Sequence, residues 1–375
     1  MLIAVPREIR EGEKRVALVP DIINKLTRLG FDVVIESGAG VSAQANDTDY
    51  VSAGAKISQG EVLSTADAVL SVQPLIPAQM SKLKNGAVTI SFLSPVNAVD
   101  SIDAAASAGV TAFSLELVPR ISRAQSMDAL TSQALCAGYR AALVGAELSP
   151  RFFPMLMTAA GTVTPAQVLV LGAGVAGLQA MATARRLGAV VSAYDVRPAS
   201  ADEVRSMGAT FIELELEALE GAGGYAREMS EDRAAKQQAL LTPHIAKSHV
   251  VITTAAVPGR QAPRLMTSAM VDSMASGTII IDLAAETGGN VEGSKPGEIV
   301  TSPKGVRIWG GKDVTSQIPF HASFLYSRNV VNLLTLMTVA AKDGSAVAFN
   351  IDFEDEIIDG AALTHGGSRR DAGGK

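Results

Sequence analysis

Three glycines and one aspartate are the residues of this chain whose types and spacing best suit chemistry. Gly172, Gly174 and Gly177 follow the apolar run Val168-Leu169-Val170-Leu171, and an Ala-rich stretch follows them. Glycines at this spacing are weak evidence alone, but a strand before and a helix after supply the context the motif needs. Gly172 permits a tight turn, Gly174 lets the backbone approach a pyrophosphate, and Gly177 lets the helix pack closely on the strand. An anion is then favoured at the helix amino terminus by free N–H groups and the helix dipole. Asp195 lies 18 residues beyond Gly177, at the end of the next apolar run. A carboxylate there accepts a hydrogen bond from a ribose 2′-hydroxyl and repels a 2′-phosphate. The pattern therefore points to NAD rather than NADP. Arg197 leaves the other choice open, since a nearby arginine accepts a 2′-phosphate. A plain strand–turn–helix with a solvent-facing Asp195 is the bland alternative.

These residues must be held by regular elements. Residues 167–171 read as a strand, and 177–187 as a helix ended by Gly188. The runs 190–194, 250–254 and 278–283 are rich in β-branched residues and read as further strands. The first half repeats the theme. Strands are expected at 3–5, 32–36, 68–72, 87–93 and 110–117, with helices at 21–29 and 98–108, the latter capped by Asn97. Such alternation implies βαβ units on parallel sheets. The expected class is α/β, with two Rossmann-like doubly wound parallel-sheet domains separated by a cleft. Long helical stretches near 130–148 and 323–341 would carry the chain into the second domain and back. The first domain would comprise 1–130 plus 323–365, and the nucleotide-binding domain 131–322. The Gly- and charge-rich end, 366–375, is expected to be disordered.

Composition narrows the function further. A chain of 375 residues is too long for one typical core, so two domains are natural. With 47% hydrophobic and 19% charged residues it is globular rather than disordered. A net charge of −6 argues against nucleic acid as the main partner. No apolar run reaches the ~18 residues that suggest a membrane span. The best candidate, 168–184, is interrupted by its own glycines, and the amino terminus turns charged too early for a signal peptide. Cys136 is the only cysteine, and the four histidines, His244, His249, His321 and His365, are absent from the first 243 residues. No zinc site or intramolecular disulfide is expected, and the cytoplasm is the expected compartment.

Several runs together resemble one family. Residues 119–128 read Pro-Arg-Ile-Ser-Arg-Ala-Gln-Ser-Met-Asp, 137–140 read Ala-Gly-Tyr-Arg, and 157–162 read Met-Thr-Ala-Ala-Gly-Thr. The glycine motif, Asp195-Val196-Arg197, Gly223-Gly224-Tyr225-Ala226, Thr253-Thr254 with Pro258-Gly259, Ile281-Asp282-Leu283-Ala284 and Gly288-Gly289-Asn290 follow. This set resembles the soluble NAD-binding part of the alpha subunit of proton-translocating transhydrogenases. The opening Arg7-Glu8 and Arg15-Val16-Ala17 is shared with the related alanine dehydrogenases. The resemblance covers nearly the whole chain, and 119–128 is its most specific run. There are departures: Ala134-Leu135 stands where the family often has Ser-Asn, Ser71 where a lysine is common, and Ala256 where a larger apolar residue is usual.

The resemblance implies direct hydride transfer from NADH to NADP⁺, the NADP(H) being held by a separate beta subunit. A separate membrane-spanning alpha subunit would couple the exchange to proton movement, with this chain peripheral on the cytoplasmic face of the inner membrane. Carried over by position, the NAD(H) contacts fall on Arg120, Ile121, Ser122, Gln125 and Asp128, then Val175, Asp195, Val196, Arg197, Gly224, Gln237 and Ala256. Of these, Arg120, Gln125 and Asp128 would position the nicotinamide. Gly223-Gly224-Tyr225 resembles a loop that closes over the nucleotide, the glycines hinging it and Tyr225 offering a flat cover. Family members form homodimers, and the apolar residues of 326–336 are a candidate contribution to that interface. Blander roles stay open: Asp128 as the N-cap of a helix from Ala129, Gln125 as a surface loop residue, the Gly223–Tyr225 run as a plain surface turn, and Arg15 as a structural cation near a helix start.

Alanine dehydrogenase is the serious competitor. Oxidative deamination moves protons as well as a hydride, so it needs a positioned acid–base group. In that family a lysine and a histidine do this work beside an arginine. Arg15 is retained here, but the lysine position reads Gln73 and the histidine position Ser94. Neither titrates near neutral pH. Hydride transfer between two nicotinamides needs alignment at ~3–3.5 Å instead, and the cofactor carries the chemistry. A silent NAD-binding module is the third possibility.

Overall fold

A computed structural model describes residues 1–216, 231–257, 259–340 and 347–370. The chain divides into two compact units, Met1–Gln133 with Thr315–Lys375, and Ala134–Val314.

The first unit is built on strands β1 (Leu2–Val5), β2 (Asp32–Glu36), β3 (Lys56–Ser58), β4 (Ala68–Leu70), β5 (Val88–Ser91) and β6 (Thr111–Ser114). They form one parallel sheet in the order β3-β2-β1-β4-β5-β6. Residues of β4, β5 and β6 are buried on both faces, as a helix-covered parallel sheet requires. The helix Pro319–Leu336 returns to this unit and buries Tyr326, Val330, Leu333 and Leu334 in its core.

The second unit begins at Ala134, within the helix Ala129–Leu148, and continues with an antiparallel hairpin, β7 (Leu156–Thr158) and β8 (Gly161–Val163). Its sheet comprises β9 (Gln167–Leu171), β10 (Val190–Tyr194), β11 (Thr210–Phe211), β12 (Val250–Thr253), β13 (Ile279–Asp282), β14 (Ile299–Thr301) and β15 (Arg307–Gly310). The order is β11-β10-β9-β12-β13-β15-β14, parallel except for β14 at the edge. The run of β-branched residues in β12 and β13 is entirely buried, which fixes these strands at the sheet centre. Gly138 lets the first helix touch the one after β9, because a Cβ there would lie 2.0 Å from the Ala176 carbonyl oxygen.

Both units are doubly wound α/β folds of Rossmann type. Four local expectations need correction. The helix Val99–Ser107 has Ala98 rather than Asn97 at its N-cap position, and the Asn97 amide instead donates to Ser94 Oγ at 3.2 Å. The returning helix stops at Leu336, and Thr338–Ala340 pairs as a strand with Val347–Phe349. The apolar residues of 326–336 are largely core rather than a surface for a second copy. Residues 366–370 are ordered: Ser368–Arg369 pairs with Thr364–His365, and the Arg370 guanidinium lies 3.6 Å above the Phe353 ring. The last five residues lie outside those described.

Candidate functional site

The second unit's site grows from the turn after β9. Gly172 takes φ of +106°, a left-handed value that favours glycine. Its N–H donates to the Tyr194 carbonyl, 2.9 Å away. A Cβ on Gly177 would sit 1.9 Å from the Gly172 carbonyl oxygen, so only glycine allows helix Val175–Arg186 to start so close to the strand. Gly174 caps that helix in extended backbone, with no side-chain cap, and a Cβ there would meet nothing within 4 Å. The first turn of this 12-residue helix thus has no side-chain cap, and the glycine before it is uncrowded. That is the cradle a pyrophosphate needs. Val175, at the first helical position, is exposed on its rim.

Asp195 ends the neighbouring strand. Its carboxylate accepts from the Ala173 N–H at 2.7 Å and from the Arg197 N–H at 2.9 Å. The Arg197 guanidinium grips it at both oxygens, each at 2.9 Å. That hydrogen bonding raises the Arg197 pKa above the ordinary arginine value, with the neighbouring negative charge adding to it and burial opposing. Asp195 therefore ties the glycine turn to β10 and places a carboxylate paired with Arg197 at the strand tip. Val196 packs beside it on the apolar cluster under the sheet.

β9 and β12 flank the point where strand order reverses, the place where open α/β sheets bind ligands. The far wall is the loop after β12. Its shape comes from a buried network whose members are far apart in the chain. Asp282, fully buried, accepts from Thr253 Oγ1 and from the N–H groups of Ala284, Asn290 and Val291. Asn290 in turn clamps Ala255 from both sides, accepting from its N–H at 3.1 Å and donating to its carbonyl at 2.8 Å. Ala256 follows, exposed at the loop tip. Gln237 is not at the surface: it is buried, and its Oε1 accepts from the Tyr194 hydroxyl at 3.0 Å. The Tyr194 pKa is pushed up to about 12, chiefly by burial, so that hydroxyl keeps its proton. Gly224 and Tyr225 lie outside the described residues, as does Pro258.

The first unit carries the other predicted residues. Arg120 and Ile121 lead into a 3₁₀ turn, Ser122–Met127, whose Ala124 and Met127 face the core while Ser122 and Gln125 face solvent. Asp128 caps the following helix, accepting from the Thr131 N–H at 2.8 Å and its hydroxyl at 2.6 Å. Arg123 forms a bidentate pair with Asp355.

Arg15 has little to offer a substrate. It is buried, its Nε and Nη2 donate to Glu13 at 2.8 and 2.6 Å, and its Nη1 donates to Gln133 at 2.9 Å. Gln73 donates to the same Glu13 at 2.6 Å. Ser94 is held at φ +45° by its N–H bond to Glu116. Beside this cluster is a cavity of about 250 Å³, lined by Glu8, Gln73 and Pro74 among others. Glu8 accepts from the Val72 and Gln73 N–H groups, and its pKa is raised to about 7, first by burial and then by the charge of Glu13. No group of side chains suited to holding a metal ion occurs among the described residues.

Sheet order, glycine turn and acidic strand tip define a dinucleotide-binding protein of Rossmann type. Comparison with known proteins specifies the family. Residues 4–137 match the model described as Alanine dehydrogenase/PNT, N-terminal domain, and residues 141–371 match its C-terminal domain. The chain is 46% identical over 378 residues to an NAD(P) transhydrogenase subunit alpha polypeptide of Rhodospirillum rubrum, covering 98% of this chain and 97% of that protein. Against the alanine dehydrogenase of Mycobacterium tuberculosis it is 31% identical over 301 residues, covering 79% of this chain and 76% of the relative. The crystal structure of transhydrogenase from Sinorhizobium meliloti superposes with a TM-score of 0.85 at 43% identity, covering 98% of both chains. This chain belongs to the alanine dehydrogenase/PNT family, in company with transhydrogenase alpha subunits.

Proposed function

We propose that this chain is the NAD(H)-binding subunit of a proton-translocating nicotinamide nucleotide transhydrogenase. It passes a hydride from NADH to NADP⁺ held on a partner beta subunit. NADH and NADP⁺ become NAD⁺ and NADPH with no net proton released. One observation carries this choice over amino-acid oxidation. The two positions that would move protons in a deaminating relative are Gln73 and Ser94, and carboxylates of the same unit hold both. Arg15, the shared carboxylate anchor, spends three N–H donors on Glu13 and Gln133.

In this reading the turn at Gly172, Gly174 and Gly177 takes the pyrophosphate, and Asp195 with Val196 and Arg197 takes the adenosine ribose. A carboxylate at the strand tip disfavours a 2′-phosphate. NAD(H) bound there supplies the hydride. Arg120, Ile121, Ser122, Gln125 and Asp128 orient the nicotinamide end, while Val175, Ala256, Gly224 and Tyr225 enclose the nucleotide. Gln237 acts from behind, holding Tyr194 beneath the ribose strand. Gln125 suits the orienting role because a neutral amide hydrogen-bonds without adding a titrating group.

No helix among the described residues is long and apolar enough to cross a membrane. As part of the proposal, the proton path belongs to a membrane-spanning alpha subunit and the NADP-binding beta subunit, with this chain peripheral on the cytoplasmic face. A homodimer is part of the proposal. The hairpin β7–β8, with Met157 78% exposed, is a better surface for it than the buried helix Pro319–Leu336.

The test mixes the full chain with a transhydrogenase NADP-binding subunit and follows reduction of a thionicotinamide NADP⁺ analogue by NADH. The proposal expects transfer only with both proteins present, and no NADH formation from alanine by this chain alone. Turnover of alanine or another amino acid by the isolated chain would favour the deaminase instead.

A further inference from the structure

The 3₁₀ turn Ser122–Met127 is fastened to its unit by an arrangement that core packing alone does not explain. The Ser126 carbonyl accepts two side-chain amides, Asn329 Nδ2 and Asn332 Nδ2, each at 3.0 Å. Both asparagines lie on the helix Pro319–Leu336, three residues apart and so on one face. Each amide is oriented by a second bond. Asn329 Oδ1 accepts from Ser132 Oγ at 2.7 Å, and Asn332 Oδ1 accepts from Lys25 Nζ at 2.8 Å. With each amide oxygen engaged by a donor, the NH₂ ends are directed to Ser126. A single donor would satisfy one carbonyl, so two donors on one oxygen fix its place in two directions.

What this grip fixes is the Ser126–Met127 peptide, one residue beyond Gln125. Gln125 itself is exposed, whereas Ala124 and Met127 on either side of the pair are buried. Downstream, Asp128 is locked onto Thr131. The backbone adds only local bonds, Ala124 N–H to the Ile121 carbonyl at 3.0 Å and Asp128 N–H to the Gln125 carbonyl at 3.4 Å, and the Arg123–Asp355 pair is near the surface, where ion pairs contribute little. We propose that Asn329 and Asn332 are positioning residues that hold the Ser126 carbonyl and thereby set the aim of the Gln125 side chain. The inference rests on the transhydrogenase reading, in which Gln125 meets the nicotinamide. Hydride transfer is steep in geometry, and a misplacement of about 1 Å costs up to about a hundredfold in rate.

Asn329→Leu and Asn332→Leu remove the donors at similar volume. Asn332 is only half-buried, so its variant remains informative if Asn329→Leu folds poorly. Each is combined with Gln125→Ala and measured as the full chain with an NADP-binding subunit, recording single-turnover hydride transfer and the NADH dissociation constant separately. Each asparagine variant is expected to lower the transfer rate on the order of tenfold, with NADH binding changed less than about twofold. In the Gln125→Ala background the same substitutions should have no further effect, because residues that act through one another are not additive. Unchanged transfer in the single variants overturns the inference, and so do losses that add to that of Gln125→Ala. A silent Gln125→Ala removes the target through which the asparagines act, which overturns it too. A wild-type chain that transfers nothing is a separate result, overturning the transhydrogenase reading and this inference with it.

Discussion

Replacing Arg15 by Met tests whether this shared residue is a structural cation. Glu13 has a side chain with no exposed surface; Arg15 pairs with it at 2.6 Å, and Arg10 lies farther off at 3.8 Å. Burial alone would raise the Glu13 pKa, but Arg15, Ser316 and Gln73 outweigh it and hold the pKa at about 2 against an ordinary 4.5. Removing one partner of a buried ion pair leaves an uncompensated charge and costs about 3–5 kcal/mol. The pH dependence gives an independent figure. A carboxylate with a lowered folded-state pKa adds stability above its unfolded pKa and loses it as pH falls through the folded value. The interval from 4.5 to about 2 corresponds to about 3 kcal/mol at ~1.36 kcal/mol per pH unit. Arg15→Met should therefore be destabilised most at neutral pH, and its deficit should shrink by about 2 kcal/mol between pH 5 and pH 3. Urea unfolding followed by circular dichroism at pH 7, 5 and 3 reads both quantities. Adding Glu13→Leu to Arg15→Met should restore part of the loss, since apolar pairs replace buried ion pairs at little cost. A cost below about 1 kcal/mol, or a deficit that does not change with pH, would refute the buried-pair account.

Four further outcomes are expected. Gly174→Ala should fold with an unchanged melting temperature yet bind NADH at least about tenfold more weakly, since its methyl meets no protein atom but fills the pyrophosphate approach. Gly177→Ala should instead lower the melting temperature, because its Cβ would collide with the Gly172 carbonyl. Asp195→Ala should weaken NADH binding about tenfold and narrow the preference for NADH over NADPH in parallel titrations, in line with the loss of a charged hydrogen-bond partner. The fourth concerns Glu8, whose carboxyl is raised to about 7 by burial, next to Glu13. Its contribution to stability is full below about pH 4.5 and is lost as pH rises to about 7, so Glu8→Gln should flatten the profile of urea-unfolding stability across that window.

How much of the fold was legible in the sequence depends on how local each signal is. The central strands of both sheets were legible because burial on two faces writes itself as runs such as Val250-Val251-Ile252 and Ile279-Ile280-Ile281. Edges were not. β3 and β14 are three residues long with exposed members, and β7 and β8 are exposed throughout, so none has an apolar pattern to find. The end of the returning helix is not legible, because apolar residues continue from Leu336 into the strand Thr338–Ala340 and periodicity cannot separate a short strand from one more turn. The glycine turn is legible for the opposite reason: a tight turn, a close helix and an open N-terminus each demand glycine at a fixed spacing.

The supports of the site obey no such spacing. Asn329 and Asn332 reach Ser126 across about two hundred residues, Asn290 reaches Ala255, and Glu13 gathers Arg15, Gln73 and Ser316. Each partner is an ordinary polar residue in its own stretch, and only the sheet order brings the pairs together. Arg15 illustrates the consequence. Its presence alone is compatible with an anchor for a substrate carboxylate, and Glu13, two residues away, matches no helical pairing rule that would predict an ion pair. Once the fold buries both, the guanidinium is engaged by its own chain. An arginine shared with an amino-acid dehydrogenase then stops being an argument for that chemistry.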